Sequence, residues 1–196
     1  MNSFQLLQST RRALLLGCAA IFLAGPAFSQ SAPKVKFQTT LGDFVVEVYP
    51  DKAPKTVENF LQYVKDKHYD GTVFHRVIAN FMIQGGGFSV DLNQKSTRAA
   101  IPLEANNGLK NDTGTIAMAR TANPNSATAQ FFINTVDNAM LNAPQPDGYG
   151  YTVFGKIVSG MDVILKIKST PTGSGGPFRS DVPQTPILIN SATLVK

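Results

Sequence analysis

Between residues 35 and 195 the chain breaks into short apolar segments separated by clusters of Gly, Asn, Asp and Pro, and this rhythm constrains the fold more than any other feature. Val35, Phe37 and Thr39 alternate with polar neighbours, and Phe44, Val46 and Val48 repeat the pattern after Thr40, Leu41, Gly42 and Asp43. A period of two on either side of a short polar stretch predicts two strands joined by a tight turn. Further apolar segments follow at 73–78, 81–84, 115–119, 130–135 and 151–158, and the tail 187–195 alternates again as a closing strand. Many short strands with regular turn signals predict a barrel or a sandwich. Only two stretches carry the helical period. Val57, Phe60, Leu61 and Val64 lie at i, i+3, i+4 and i+7, with Pro54 near the first turn and Gly71 beyond the end. Residues 161–168 form the second, with Met161, Ile164, Leu165 and Lys168 on a shared face and Ser159 or Gly160 at its start. No repeat of fixed period is present. The stretches 89–111, 138–150 and 171–186 read as long surface loops, which in compact domains often carry function. Too little chain follows the linker-like Gly/Ser-rich run at 172–177 for a second domain.

The first thirty residues stand outside this pattern. Arg11 and Arg12 precede an apolar run at 13–23, followed by Ala27, Phe28 and Ser29 as a small-x-small cleavage site, so residues 1–29 read as a secretory signal peptide and 30–34 as a short tail. The apolar run is well short of the ~20 residues a membrane-spanning helix needs, and Gly25 and Pro26 interrupt it. A twin-arginine route is compatible with Arg11 and Arg12, and a lipoprotein reading of Cys18 leaves only a short apolar segment before it. The expected location is the periplasm, with no stable membrane insertion after cleavage. Cys18 is the only cysteine, so the mature domain at 35–196 must be held by packing rather than disulfides. Its lysines and arginines are scattered without interleaved aromatics, which argues against nucleic-acid binding. Two histidines and no cysteine in the mature chain also argue against a metal site, and nothing points to a cofactor.

The chemistry-bearing stretch is Phe-His-Arg-Val-Ile-Ala-Asn-Phe-Met-Ile-Gln-Gly-Gly-Gly at 74–87. Arg76 carries a permanent charge and a rigid fork of donors among Phe74, Val77, Ile78, Phe81, Met82 and Ile83, residues that ordinarily belong to a core. A charge at the edge of an apolar surface marks a candidate site. Gly85, Gly86 and Gly87 lack the Lys-Ser/Thr of a phosphate loop and read as a tight turn after a strand.

Together with Met118-Ala119, Gln130-Phe131-Phe132-Ile133 and Val153-Phe154-Gly155, this stretch resembles the cyclophilin-type peptidyl-prolyl cis-trans isomerases over residues 35–196, most of all the bacterial periplasmic ones. The resemblance implies a mainly β fold: a closed antiparallel barrel of about eight strands capped by two α-helices. It implies a monomer that acts on proline-containing peptides and folding envelope proteins. Carried over residue by residue, it makes Arg76 catalytic. Phe81, Met82 and Phe132 line a proline pocket, with Leu141 beside them and Phe74 supporting the floor. Gln84 anchors the neighbouring peptide backbone, Gln130 orients Arg76, and the Ala119 and Arg120 backbone holds the extended substrate. Met140 and Tyr151 stand where many cytosolic members have tryptophan and histidine, and Arg120 replaces a frequent asparagine, so the rim is altered and strong binding of the family's cyclic-peptide inhibitor is not expected. His75 is placed beside the substrate as a packed or hydrogen-bonding group, not as a general base.

The chemistry sets what such residues must do. Resonance opposes peptide-bond rotation by ~18–20 kcal/mol, and X-Pro isomers of nearly equal energy interconvert over tens to hundreds of seconds. A guanidinium directed at the proline nitrogen stabilises a lone pair that localises only as the bond twists, and so favours the transition state. One hydrogen bond to a charged group contributes ~1.5–3 kcal/mol, or about ten- to a hundredfold in rate. The remainder must come from holding the ring and excluding water. No proton is transferred, so no general base is required. A peptide-binding chaperone or scaffold with little turnover is the alternative function, and a barrel without peptide binding the third.

Overall fold

The structure, a computed structural model, describes residues 32–195; the expected leader at 1–29 lies outside the described residues. The elements are β1 (Lys34–Thr39), β2 (Gly42–Val48), α1 (Pro54–Lys65), β3 (Thr72–Ile78), β4 (Met82–Ser89), β5 (Thr115–Met118), β6 (Phe131–Asn134), β7 (Val153–Ser159), α2 (Met161–Lys168), β8 (Thr172–Gly175), β9 (Phe178–Pro183) and β10 (Leu188–Val195). Eight strands close into a barrel in the order β1-β10-β3-β4-β6-β5-β7-β2, every pairing antiparallel. The expected mainly β fold with an eight-stranded closed barrel and two helices is what the chain forms.

Strand alternation sends one set of side chains into the barrel. Phe37 and Phe44, opposite each other on β1 and β2, stack at 4.9 Å, and Phe60, Tyr69, Phe74, Phe131 and Phe154 complete an aromatic interior of almost zero exposure. Burying each such ring contributes roughly 1.5–3 kcal/mol before packing geometry is counted. The Tyr69 hydroxyl is not left bare, since it donates to the Ala129 carbonyl at 3.0 Å.

Both helices turn an apolar face to this interior. Pro54 begins α1, as its spacing predicts, but Ala53 before it offers no capping side chain. The carboxylate of Glu104 caps the helix instead, accepting from the Lys55 and Thr56 amides at 3.0 and 2.9 Å and so pinning the long 89–111 segment to the start of α1. In α2 the buried residues are Val163, Ile164 and Ile167, whereas Leu165 is 46 % exposed. The expected face of Met161, Ile164, Leu165 and Lys168 is therefore rotated. Eight residues hold several apolar positions, and the side that meets the barrel decides among them.

Two further expectations are corrected. Residues 171–186 are not a structureless loop: β8 and β9 pair as a two-stranded sheet, with Thr172 opposite Pro183 and Gly173 opposite Val182. Its first strand, Thr-Gly-Ser-Gly, has no apolar period, and the packing comes from the second, where Val182 is buried and the Phe178 ring lies 5.1 Å from Phe88. The three glycines at 85–87 are not a turn after a strand but lie within β4. Gly86 has φ +83°, and a Cβ there would lie 2.8 Å from the Tyr69 ring, while at Gly87 it would collide with the Gln130 side chain.

Candidate active site

The site begins with an irregularity in β3. Phe74 pairs with Gly85 and Arg76 with Gln84, so two steps along β3 match one along β4, which makes His75 the extra residue of a β-bulge. Phe74 and Val77 both belong to the inner core, and both His75 and Arg76 fall outside it. Without the bulge, strict alternation could not free two adjacent residues from the interior.

From Arg76 the register runs straight across the barrel's outer surface. Arg76 faces Gln84 on β4, Gln84 faces Phe132 on β6, Phe132 faces Ala117 on β5, and Ala117 faces Val153 on β7. On these strands the inner neighbours are Ile83, Phe131, Ile116 and Phe154, while Met82, Phe132, Ala117 and Val153 form a second apolar cluster with Leu141. Both faces of β6 are thus buried, which explains its unbroken apolar run.

Above this second cluster lies a cleft of about 110 Å³. Met82 and Phe132 make its floor, 2 % and 4 % exposed, and Phe81, Leu141 and Tyr151 its walls. The Tyr151 ring meets Phe132 edge-on at 5.6 Å. Arg76, Gln84, Ala119 and Arg120 complete the rim, so nine of the thirteen expected positions converge. No carboxylate lines the cleft, and among the described residues the Arg76 guanidinium has no ion-pair or hydrogen-bond partner. An unpaired cation against an apolar floor is poised to donate to whatever enters.

Arg120 behaves differently. Its side chain is 2 % exposed; Nε and Nη2 donate to the Gly150 carbonyl at 2.9 and 2.8 Å, and Nη2 also meets Asp147 at 2.8 Å. The guanidinium lies 4.4 Å from the centroid of the Tyr151 ring. Its hydrogen bond, more than its field, holds the Asp147 carboxyl below its ordinary pKa. Arg120 therefore ties the 142–150 rim segment to the cleft.

Four expected positions lie elsewhere. Phe74 is 1 % exposed and packs inside the barrel, 6.4 Å from Phe44 and 6.2 Å from Phe131, so it supports no part of the cleft floor. His75 is 2 % exposed and sits beneath the β8–β9 ribbon, 4.5 Å from Phe88 and 5.5 Å from Phe178. Among the described residues its Nδ1 has no hydrogen-bond partner. Burial chiefly, with a smaller push from the Arg76 charge, lowers its pKa to about 4 against an opposing contribution from the Val73 backbone. Met140, in a 3₁₀ turn at Ala139–Leu141, is 58 % exposed and points away, while Leu141 next to it turns inward. Gln130 accepts from Gln84 Nε2 at 2.9 Å, so its partner is Gln84 and not Arg76. Gln130 instead borders an adjoining recess of about 340 Å³, shared with Gln84, Ala119 and Arg120 and walled by Gln94, Thr97, Ser126 and Thr128. The sequence carries no signal for those four, because they come from loops with no pattern of their own.

A closed barrel whose outer face carries a free guanidinium over an apolar cleft has the makings of an enzyme site. The model of the cyclophilin type peptidyl-prolyl cis-trans isomerases matches residues 34–194. The chain is 56% identical over 163 residues to a peptidyl-prolyl cis-trans isomerase of Streptomyces antibioticus, covering 82% of this chain and 98% of the relative. It is 54% identical over 162 residues to peptidyl-prolyl cis-trans isomerase B of Escherichia coli (strain K12), with the same coverage of 82% and 98%. A crystal structure of a Cryptosporidium parvum cyclophilin type peptidyl-prolyl cis-trans isomerase, determined in the presence of the dipeptide Ala-Pro, superposes with a TM-score of 0.68 at 27% identity, over 83% of this chain and 99% of that one. The chain belongs to the cyclophilin family, and its activity is peptidyl-prolyl cis-trans isomerisation.

Proposed function

We propose that the cleft between Arg76 and Phe132 is where the X-Pro bond turns, and that Arg76 donates to the proline nitrogen as its lone pair localises. The supporting observation is the unpaired guanidinium set across the register from Gln84 and Phe132. Met82 and Phe132 receive the proline ring, Phe81, Leu141 and Tyr151 enclose it, and Gln84, steadied by Gln130, donates to the adjoining backbone. The ring side of the bond is held while the carbonyl side rotates. An interaction present only in the twisted state lowers the barrier without tightening either ground state. The partner is a proline-containing peptide, in keeping with the Ala-Pro used with the Cryptosporidium parvum relative.

The test is isomer exchange in an Ala-Pro-containing peptide, followed by NMR, with the wild type and Arg76→Ala. Loss of one hydrogen bond to a charge predicts a kcat about ten- to a hundredfold lower with peptide binding retained. A folded Arg76→Ala with full kcat overturns the role of Arg76.

The leader at 1–29 supports export, with envelope proteins as the clients. Intact mass of the protein recovered from an envelope fraction tests this: a chain that keeps its first residues and stays in the cytoplasm rules it out.

A further inference from the structure

The cleft's floor and walls are built by different means. Met82, Ala117, Phe132 and Val153 stand on barrel strands, whose ladders hold them in place. Phe81, Leu141 and Tyr151 come from connecting segments between strands and need some other restraint. Behind them lie three asparagines, Asn111, Asn134 and Asn138, which are 1 %, 0 % and 1 % exposed.

Their amides form a chain from one wall to the other. Asn138 Nδ2 donates to the Phe81 carbonyl at 2.8 Å and to Asn134 Oδ1 at 2.7 Å. Asn134 Nδ2 donates to Asn111 Oδ1 at 3.2 Å and to Thr115 Oγ1 at 2.9 Å. Asn111 Nδ2 reaches the Leu141 carbonyl at 3.1 Å, Asn142 Oδ1 at 3.1 Å and the Tyr151 carbonyl at 3.4 Å. Backbone bonds reinforce both ends: Asn138 N donates to Asn111 O at 2.8 Å, and Leu141 N to Asn138 O at 2.9 Å.

The direction of these bonds matters. Asn138 spends both amide hydrogens on oxygens, so turning the amide over would set oxygen against oxygen at each end. Every member is satisfied only while the others stand in place, and a buried amide that loses its partner carries the full desolvation cost. Phe81, Leu141 and Tyr151 are thereby joined through one hydrogen-bonded network.

We propose that Asn138, Asn134 and Asn111 are positioning residues for isomerisation, a relay that sets the width of the cleft by fixing its walls against each other. This rests on the reading of the cleft as the site of bond rotation. None of the three lines the cleft. The relay governs how well the proline ring is gripped and leaves the contribution of Arg76 to bond twisting unaltered.

The experiment measures KM and kcat separately, by coupled proteolysis of an Ala-Pro-containing peptide. Asn138→Asp has nearly the same shape but places an acceptor against two acceptors. The expected result is a KM about three- to tenfold higher with kcat within about twofold of wild type. Asn138→Ala, Asn111→Ala and their double variant test the relay as a unit: the double variant matches the worse single one, because a broken chain is not broken further. Should Asn138→Asp fail to fold, Asn134→Ser interrupts the chain at its middle and carries the same expectation for KM. An unchanged KM in a folded variant, or single effects that multiply in the double variant, overturns the proposal. Arg76→Ala, measured beside them, separates the two levels. Full kcat there overturns the reading of the site and this proposal with it; an Arg76 loss accompanied by unchanged KM in the asparagine variants overturns the relay alone.

Discussion

Gln84 donates through Nε2 to Oε1 of Gln130 at 2.9 Å, joining the middle of β4 to the residue that leads into β6. Gln84 is the rim residue beside Arg76, so Gln130 acts on the cleft through Gln84. Gly87 leaves the space in which the Gln130 side chain lies. Gln130→Ala is expected to raise KM severalfold, roughly the cost of one lost side-chain hydrogen bond, while kcat changes little. Gly87→Ala should reproduce that pattern by displacing Gln130. Steady-state kinetics of the two variants check this, and a Gly87→Ala enzyme with wild-type KM contradicts it.

Phe131 and Phe132 are consecutive, yet they face opposite sides of β6. Phe131→Ala empties a site in the aromatic interior and should cost about 3–5 kcal/mol of stability. Phe132→Ala opens the floor of the cleft, so its main effect is a large rise in KM with a smaller loss of stability. Urea unfolding and kinetics on both variants distinguish the roles; equal stability losses would show that the two faces are not separate.

His75 makes stability depend on mildly acidic pH. Its pKa is lowered from 6.5 to about 4 in the folded protein, so between those values the unfolded chain binds the proton that the folded one refuses. Stability therefore falls as pH drops from about 6.5 to about 4, by up to ~3 kcal/mol, and this contribution levels off below that. His68, also lowered by burial, acts in the same direction. His75→Phe, which suits the neighbouring Phe88 and Phe178, should flatten much of the slope. Denaturant midpoints at pH 7 and pH 5 supply the comparison, and an unchanged slope in the variant refutes the assignment.

Arg120 should tolerate lysine poorly. A lysine retains the charge but loses the fork that reaches Gly150 and Asp147 together and the flat contact with Tyr151. Arg120→Lys is expected to raise KM about three- to tenfold, and Asp147→Asn by less, because the bonds to Gly150 survive. Since the folded pKa of Asp147 is depressed, its anchoring is present above the ordinary carboxylate pKa and is lost as pH falls through the lowered value. Kinetics of both variants at neutral pH decide the order.

The legible part of this fold is the part written in side-chain period. β1, β2 and α1 announce themselves because Phe37, Phe44, Phe60 and their neighbours recur at two or at three and four residues. β8 and β9 do not, since Thr-Gly-Ser-Gly has no apolar period and is held by pairing with a strand whose Phe178 packs against His75 and Phe88. Arg76 and the pocket residues were readable from their grouping in a few motifs. Which neighbours fall away from the cleft was not, because the bulge at His75 exists only relative to the register of β4, and a sequence carries no partner register. That Phe74 faces the interior follows from the same register. Met140 and Leu141 share a three-residue turn, and only its packing decides which one turns inward. Gln130 meets Gln84 and not Arg76, because distance along the chain says nothing of which polar group across the sheet a side chain meets.

Closure of the eight strands has a consequence for the company this protein keeps. Extended chains seek unpaired strand edges, and a sheet with open borders recruits them into aggregates. Among the described residues the barrel itself offers no such border, and the open edges that remain belong to the short β8–β9 ribbon. A barrel closed in this way gives extended chains little backbone to add to, and so does not seed their precipitation.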